Sequence, residues 1–371
     1  SIIRAGLDDS AFSGATVAIG RHGRLVKLDA YGELAYGSGR PTTTTSIWDM
    51  ASVSKVVGTT TAAMMLVGDG ALDLDAPVVQ YLPWWSRGDE RKNQITVRQL
   101  LIHRTGLPPF RRWFFDHEGL EAYKNAAADE PLDMDPGLET IYSDIGIMTL
   151  AWVIEEVSGQ TLDALLQERL WDPLGMAETR YRPDASLKPR IAATEVDTLW
   201  RDELVWGRVH DENADAMGGV AGHAGLFSTA VDLSVFAQMM LNGGESPACQ
   251  PGDDAGVPCP LGRGIAQQIV DPGVLSMFTT RFDETSTRGL GWDTPGERSS
   301  GGDYVTSSAF GHTGYTGTSI WMDPELDVWV ILLTNRVHPS RENSKHVPLR
   351  RAVADAALLA ITDQPVRKRT P

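Results

Sequence analysis

Residues Asp49 to Gly68 read D-M-A-S-V-S-K-V-V-G-T-T-T-A-A-M-M-L-V-G, with Ser52 and Lys55 three residues apart at the head of an apolar run. That spacing puts both side chains on one face of a helix, within touching distance. A serine hydroxyl is a poor nucleophile until a base takes its proton, and a lysine can serve once burial or a nearby cation lowers its pKa. The serine also opens the helix, where unpaired N–H groups and the helix dipole favour the negative charge that develops on an attacked carbonyl. The chemistry on offer is acyl transfer through a covalent serine intermediate. The same residues also read as a helix N-cap followed by an exposed lysine, because S-x-x-K turns up by chance about once in a chain of this size. Two later stretches add titratable groups. P-G-L-E-T-I-Y-S-D-I-G places Tyr142 and Asp144 in a loop before an apolar helix, and F-G-H-T-G-Y-T-G-T-S-I places His312, Thr313 and Gly314 at the start of a strand.

The elements that must position these groups follow from hydrophobic period. Ala15 to Gly32 alternates about a His22-Gly23 turn, a β-hairpin signature. Val53, Val56, Val57, Thr60, Met64 and Val67 recur at helical steps and end at Gly68 and Gly70. Helical stretches dominate from Leu72 to Met217, divided by Pro- and Gly-marked loops. Strands return in T-S-I-W-M-D-P-E-L-D-V-W-V-I-L-L-T-N, turned by D-P-E-L, and a last helix is expected near Val347 to Ile361. Sheet at both ends with helices between predicts an α/β domain built from residues 1–71 and 218–371, a mainly helical domain from 72–217, and a cleft between them.

With 371 residues, 42% of them hydrophobic, the chain can bury a substantial core. Its 49 acidic against 33 basic residues give a net charge of −16, which repels phosphate backbones and excludes a nucleic-acid partner. No run is long and apolar enough for a membrane span. No basic-then-apolar leader precedes Ser1, so a leader is expected to have been removed or left out. His103, His210 and His223 lack metal-ligand spacing, and no cofactor is expected. Cys249 and Cys259 bracket a polar, turn-rich loop. A disulfide there would imply an oxidising compartment, the periplasm or the cell exterior; two free thiols on a surface loop are the alternative.

The three stretches, in this order, resemble the serine hydrolases of the penicillin-binding-protein and class C β-lactamase superfamily, whose signatures are S-x-x-K, Y-x-N and K-T-G or H-x-G. Nearly the whole chain shares the likeness, through L-D-L-D-A-P-V-V-Q-Y-L-P, V-R-Q-L-L-I-H-R-T-G-L-P, W-D-P-L-G-M-A-E-T and A-G-H-A-G-L-F-S-T-A-V-D-L. The resemblance implies a β-lactamase-like α/β fold: an antiparallel sheet flanked by helices, with an all-helical inserted domain. It implies that Ser52 is the acyl-forming nucleophile, Lys55 its proton-transfer partner and Tyr142 the general base, with the N–H groups of Ser52 and Tyr315 forming the oxyanion hole. Asp144, His312, Thr313 and Gly314 would contact substrate. Two departures stand out. Asp144 replaces the usual asparagine and removes an amide donor, and His312 replaces the usual lysine and weakens the grip on a substrate carboxylate. Both turn the expectation from β-lactams toward a small-molecule ester or amide, with carboxylesterase-type activity first.

W-G-R-V-H-D-E-N-A-D-A-M-G-G-V-A-G-H-A-G-L-F-S, Trp206 to Ser228, is similar to the branch holding penicillin-binding protein 4B-like proteins and N-acetylmuramyl-L-alanine amidases. That branch implies the alternative of a muropeptide hydrolase, an amidase or D,D-carboxypeptidase. His210, Asp211 and Asn213 would then line the cleft, although Asp and Asn at such positions more often cap a helix. A non-catalytic cell-wall-binding relative is the reading from another class, and the intact S-x-x-K with Tyr142 argues against it. Nothing in the sequence bears on oligomeric state.

Overall fold

The structure, a computed structural model, describes residues 1–247 and 266–369; the Cys249–Cys259 pairing lies outside the described residues. Its frame is a five-stranded antiparallel sheet made from the two ends of the chain. The strands are β1 (Gly14–Arg21), β2 (Arg24–Gly32), β3 (Phe310–Thr313), β4 (Ser319–Asp323) and β5 (Val328–Thr334), in spatial order β2-β1-β5-β4-β3. The His22-Gly23 turn joins β1 to β2, as the alternation predicts, and β1 runs against β5 from Ala15 opposite Thr334 to Arg21 opposite Val328.

Every residue of β5 is buried, so both faces of the sheet are covered. Val330 and Leu332 face α1 (Ile2–Asp8) and the closing helix, His346–Leu359. Trp329, Ile331 and Leu333 join the main core with Leu233, Phe236 and Met240 of the helix Ala230–Leu241. That period of two is what a strand requires. The Trp329 indole lies over Gly20, where a Cβ would sit 2.0 Å from the ring, and its Nε1–H donates to Gln238 Oε1 at 3.0 Å.

The helical half centres on Thr61–Gly68, here α2, and on Asp144–Ser158, here α3. Ala62 to Leu66 and Ile145 to Ile154 are buried without a polar stripe, the pattern of helices enclosed on all sides. Ser143 caps α3 by accepting from the Gly146 N–H at 3.2 Å, and Gly159 ends it in the left-handed conformation. A short sheet of Trp48–Asp49, Leu226–Ser228 and Arg180–Tyr181 braces the segment before Ser52. One detail differs from expectation: H-T-G closes β3 instead of starting a strand, because a tight turn at Gly314–Thr318 reverses the chain into β4. Among the described residues no helix is long and apolar enough to cross a membrane.

Candidate active site

Ser52 sits in a turn held from three sides. Ala51 before it has φ +45°, a left-handed conformation costly for a residue with a Cβ. Asp49 holds it there: one carboxylate oxygen accepts from the Ala51 N–H at 2.8 Å and the other from the His210 N–H at 2.7 Å. Beyond Ser52 the backbone unwinds into a wider π-helical stretch, Lys55–Thr60, a distortion that recurs at functional sites. Ser54 Oγ accepts from the Leu226 N–H at 3.1 Å, and Thr59 Oγ1 donates to the Gly222 carbonyl at 2.7 Å. From the sheet side, Thr316 and Thr318 donate to the carbonyls of Asp49 and Met50 at 2.8 and 2.9 Å. Gly314 permits that approach, since a Cβ there would lie 2.4 Å from the Met50 carbonyl.

Lys55 is 1% exposed, and its ammonium donates to Ser52 Oγ at 2.8 Å and to the His223 carbonyl at 2.9 Å. Asp144 Oδ1 lies 2.8 Å away. Burial acts to lower the lysine pKa, but Asp144 and Tyr142 outweigh it and the net direction is upward. Lys55 therefore stays charged at neutral pH, a poor base and a good stabiliser of a phenolate. The Tyr142 hydroxyl is its other hydrogen-bonding neighbour, and the ammonium stands 5.0 Å from the Tyr142 ring centre.

Tyr142 is clamped by His103. The His103 carbonyl accepts from the Ile141 N–H at 2.8 Å, its Nδ1 accepts from the Ser143 N–H at 3.1 Å, and its ring lies 4.6 Å from the tyrosine ring. Accepting at Nδ1 fixes the proton on Nε2.

On the opposite wall, His312 donates from Nδ1 to the Thr313 carbonyl at 2.8 Å and accepts at Nε2 from Arg288 at 3.3 Å. The Arg288 guanidinium also stands 5.1 Å over the Tyr142 ring. Burial, helped by Arg288 and Lys55, drives the His312 pKa well below its ordinary value. The ring is thus neutral, and the cation on this wall is Arg288. Tyr315, 48% exposed, presents a backbone N–H that donates to none of the described residues, beside Ser52 across the Gly314–Met50 contact. Its ring lies between the Arg336 guanidinium, 4.1 Å from the ring centre, and His210, whose ring is 5.9 Å away. His210 is 4% exposed and bonds Glu195 at 2.9 Å, so it braces Tyr315 from behind. Asp211 caps the helix Glu212–Ala216 through the Ala214 N–H, as the capping alternative holds. It also pairs with His223 at 2.8 Å, and Asn213 bonds Phe114, Tyr123 and Arg111 well inside the fold.

Burial is the leading cause of a lowered pKa at His103, His312, His338 and His346, the last brought down to about 3. An unfolded chain takes up these protons once the pH falls below about 6.5, while the folded chain does not. Stability is therefore full above that pH and falls as the pH drops through it. Urea midpoints at about pH 7.5 and pH 5 check this, and a flat response would mean the rings are charged in the fold.

The structure brings Ser52, Lys55, Tyr142, Asp144, His312, Thr313, Gly314 and Tyr315 together in one place. Sequence reasoning missed Asp49, His103 as a clamp, and Arg288. The first two sit inside quoted phrases, three residues before Ser52 and in L-I-H-R-T-G; Arg288, in S-T-R-G-L-G-W, has no local signal.

A serine bonded to a buried, charged lysine, with a tyrosine on that lysine and a spare N–H opposite, is the site of an acyl-transferring serine hydrolase. Comparison with known proteins bears this out. Residues 1–355 match the Beta-lactamase family, and the chain belongs to that family of serine hydrolases. It is 33% identical over 364 residues to the N-acetylmuramyl-L-alanine amidase of Bacillus subtilis (strain 168), covering 89% of this chain and 78% of the relative. It is 33% identical over 327 residues to a provisionally named D-alanyl-D-alanine carboxypeptidase of Escherichia coli (strain K12), covering 80% of this chain and 70% of the relative. Among solved structures, EstCE1, a hydrolase with promiscuous acyltransferase activity, shares the fold at TM-score 0.72 and 23% identity, with 96% of each chain covered.

Proposed function

We propose that this protein hydrolyses an amide bond in small peptidoglycan fragments, through an acyl-enzyme on Ser52. Arg288 carries the reading. A neutral histidine in place of the family lysine suggested weak carboxylate binding and favoured simple esters. A guanidinium bonded to that histidine, beside Tyr142, restores a permanent cation where a substrate carboxylate would lie. The two curated relatives described above are named for amide cleavage next to alanine, which leads to the same substrate class.

In its phenolate form, which the Lys55 ammonium favours, Tyr142 takes the Ser52 proton as Oγ bonds the carbonyl carbon. The N–H groups of Ser52 and Tyr315 receive the oxyanion. As the C–N bond breaks, Tyr142 returns its proton to the leaving nitrogen. A water then attacks the ester, giving its proton to Tyr142, and Ser52 leaves as the hydroxyl. Asp144 keeps Lys55 charged throughout, and His103 keeps the tyrosine in place. Substrates of this kind favour a protein of the periplasm or the cell exterior.

The test is product analysis by mass spectrometry. Wild type and Ser52→Ala are incubated with an N-acetylmuramyl-L-alanyl peptide, a D-alanyl-D-alanine-terminated peptide and a p-nitrophenyl ester. Ser52-dependent cleavage of either peptide is expected. Arg288→Ala should raise KM for the substrate bearing a free carboxylate by about 10- to 100-fold and leave ester cleavage nearly unchanged. Intact peptides alongside a cleaved ester would return the protein to the carboxylesterase reading.

A further inference from the structure

The closing helix begins at His346 with no side chain capping its first turn and no acidic residue within it. Its start carries the positive end of a fourteen-residue dipole, although the Val347 N–H already donates to the Ser344 carbonyl at 3.1 Å and Pro348 has no N–H. Arg336 and Arg350 converge on the same place. Arg350 lies one turn after His346 on the same face and uses one terminal nitrogen to hold the carbonyls of Gly314 and Thr318 at 2.5 and 2.9 Å. Its Nε is buried with no hydrogen-bond partner. Arg336 donates to the carbonyls of Tyr315, Arg341 and Asn343 at 2.6, 2.7 and 2.9 Å. His346 is 5% exposed, its Nδ1 is buried with no partner, and the charges acting on its ring are those of Arg350 and Arg336.

Among the described residues no carboxylate acts on Arg350 or His346, and Glu195 acts on Arg336 alone. The one charge that acts on Arg350 is a second cation, Arg336, and burial together with that repulsion pushes the Arg350 pKa down to about 9. Buried cations without counter-charge are costly, and folds retain them where an anion completes the set. Guanidiniums beside the positive end of a helix form an anion-binding concavity, and an Nδ1–H tautomer of His346 adds a third donor. The two unpartnered nitrogens are closed to solvent, which selects a small, compact ion.

We propose that the head of the helix His346–Leu359, with Arg336, His346 and Arg350, binds a halide-sized anion, chloride in a natural setting. The ion neutralises the two guanidiniums that grip the carbonyls of Gly314, Tyr315 and Thr318, and so fastens the turn that carries the Tyr315 N–H.

Thermal unfolding of the intact protein in sodium chloride and in sodium gluconate at matched ionic strength tests this. The midpoint should rise saturably with chloride, by about 3 °C or more at saturation. The chlorine-35 NMR line of the solution should broaden with protein present and narrow again on adding bromide. Both effects should vanish in Arg350→Gln and in His346→Phe, the latter keeping both guanidiniums if the former folds poorly. Equal midpoints in the two salts, or an equal chloride gain in both variants, would overturn the proposal, since either marks a general salt effect.

Discussion

Lys55→Met should slow acylation of Ser52 by about a thousandfold to ten-thousandfold. Methionine fills much the same space, so the loss would be one of charge and donors. The ammonium donates to Ser52 Oγ and to the His223 carbonyl, and stands 2.8 Å from Asp144. Without it Asp144, whose side chain is only 20% exposed, becomes a carboxylate with no counter-charge, and stability should fall as well. The double variant Lys55→Met/Asp144→Asn separates the two effects: it should regain stability and remain inactive. Stopped-flow acylation by a fluorophosphonate, read beside urea midpoints, measures both. A loss below tenfold would remove Lys55 from the proton path. The raised lysine pKa also fixes a sign. On the alkaline side its ion pair supports the fold in full up to about pH 10.5 and is lost only as alkali removes the proton from the folded state.

Tyr142→Phe should cost about a hundredfold to ten-thousandfold in kcat with KM little changed, the range for removing a positioned acid–base group. Phenylalanine keeps the ring against His103 and beneath Arg288, so folding and substrate docking should survive. What disappears is the oxygen proposed to take the serine proton while Lys55 stays charged. A phenylalanine variant with at least a third of wild-type kcat would instead give proton transfer to the lysine.

How much of this was readable in the sequence depended on the range of each interaction. Ser52 and Lys55 meet because three residues along a helix bring side chains together, and Tyr142 and the H-T-G segment lie in turns marked by their own local chemistry. The hairpin at His22-Gly23 and the D-P-E-L turn were visible as alternation broken by turn residues. Arg288 was not, because an arginine in a glycine-rich loop has no period, and its importance comes from meeting His312 across 24 residues of irregular chain. Asp49 and His103 were hidden for another reason: each acts on backbone N–H groups, which every residue type supplies equally. His210 shows the reverse error. A histidine in a suggestive phrase drew attention as a substrate contact, yet it is buried against Glu195 behind Tyr315.

The ties from Thr316 and Thr318 to the carbonyls of Asp49 and Met50 span 267 and 268 residues of sequence. Ser52 leaves the ribosome long before Thr316 and Thr318, so the turn that shapes it is not complete until β3 and β4 have been synthesised and docked. The sheet obeys the same schedule, since β1 waits for β5 as its inner neighbour. The emerging polypeptide thus carries its reactive serine in an unformed state until β3, β4 and β5 have followed it, and only then does the geometry at Ser52 arise.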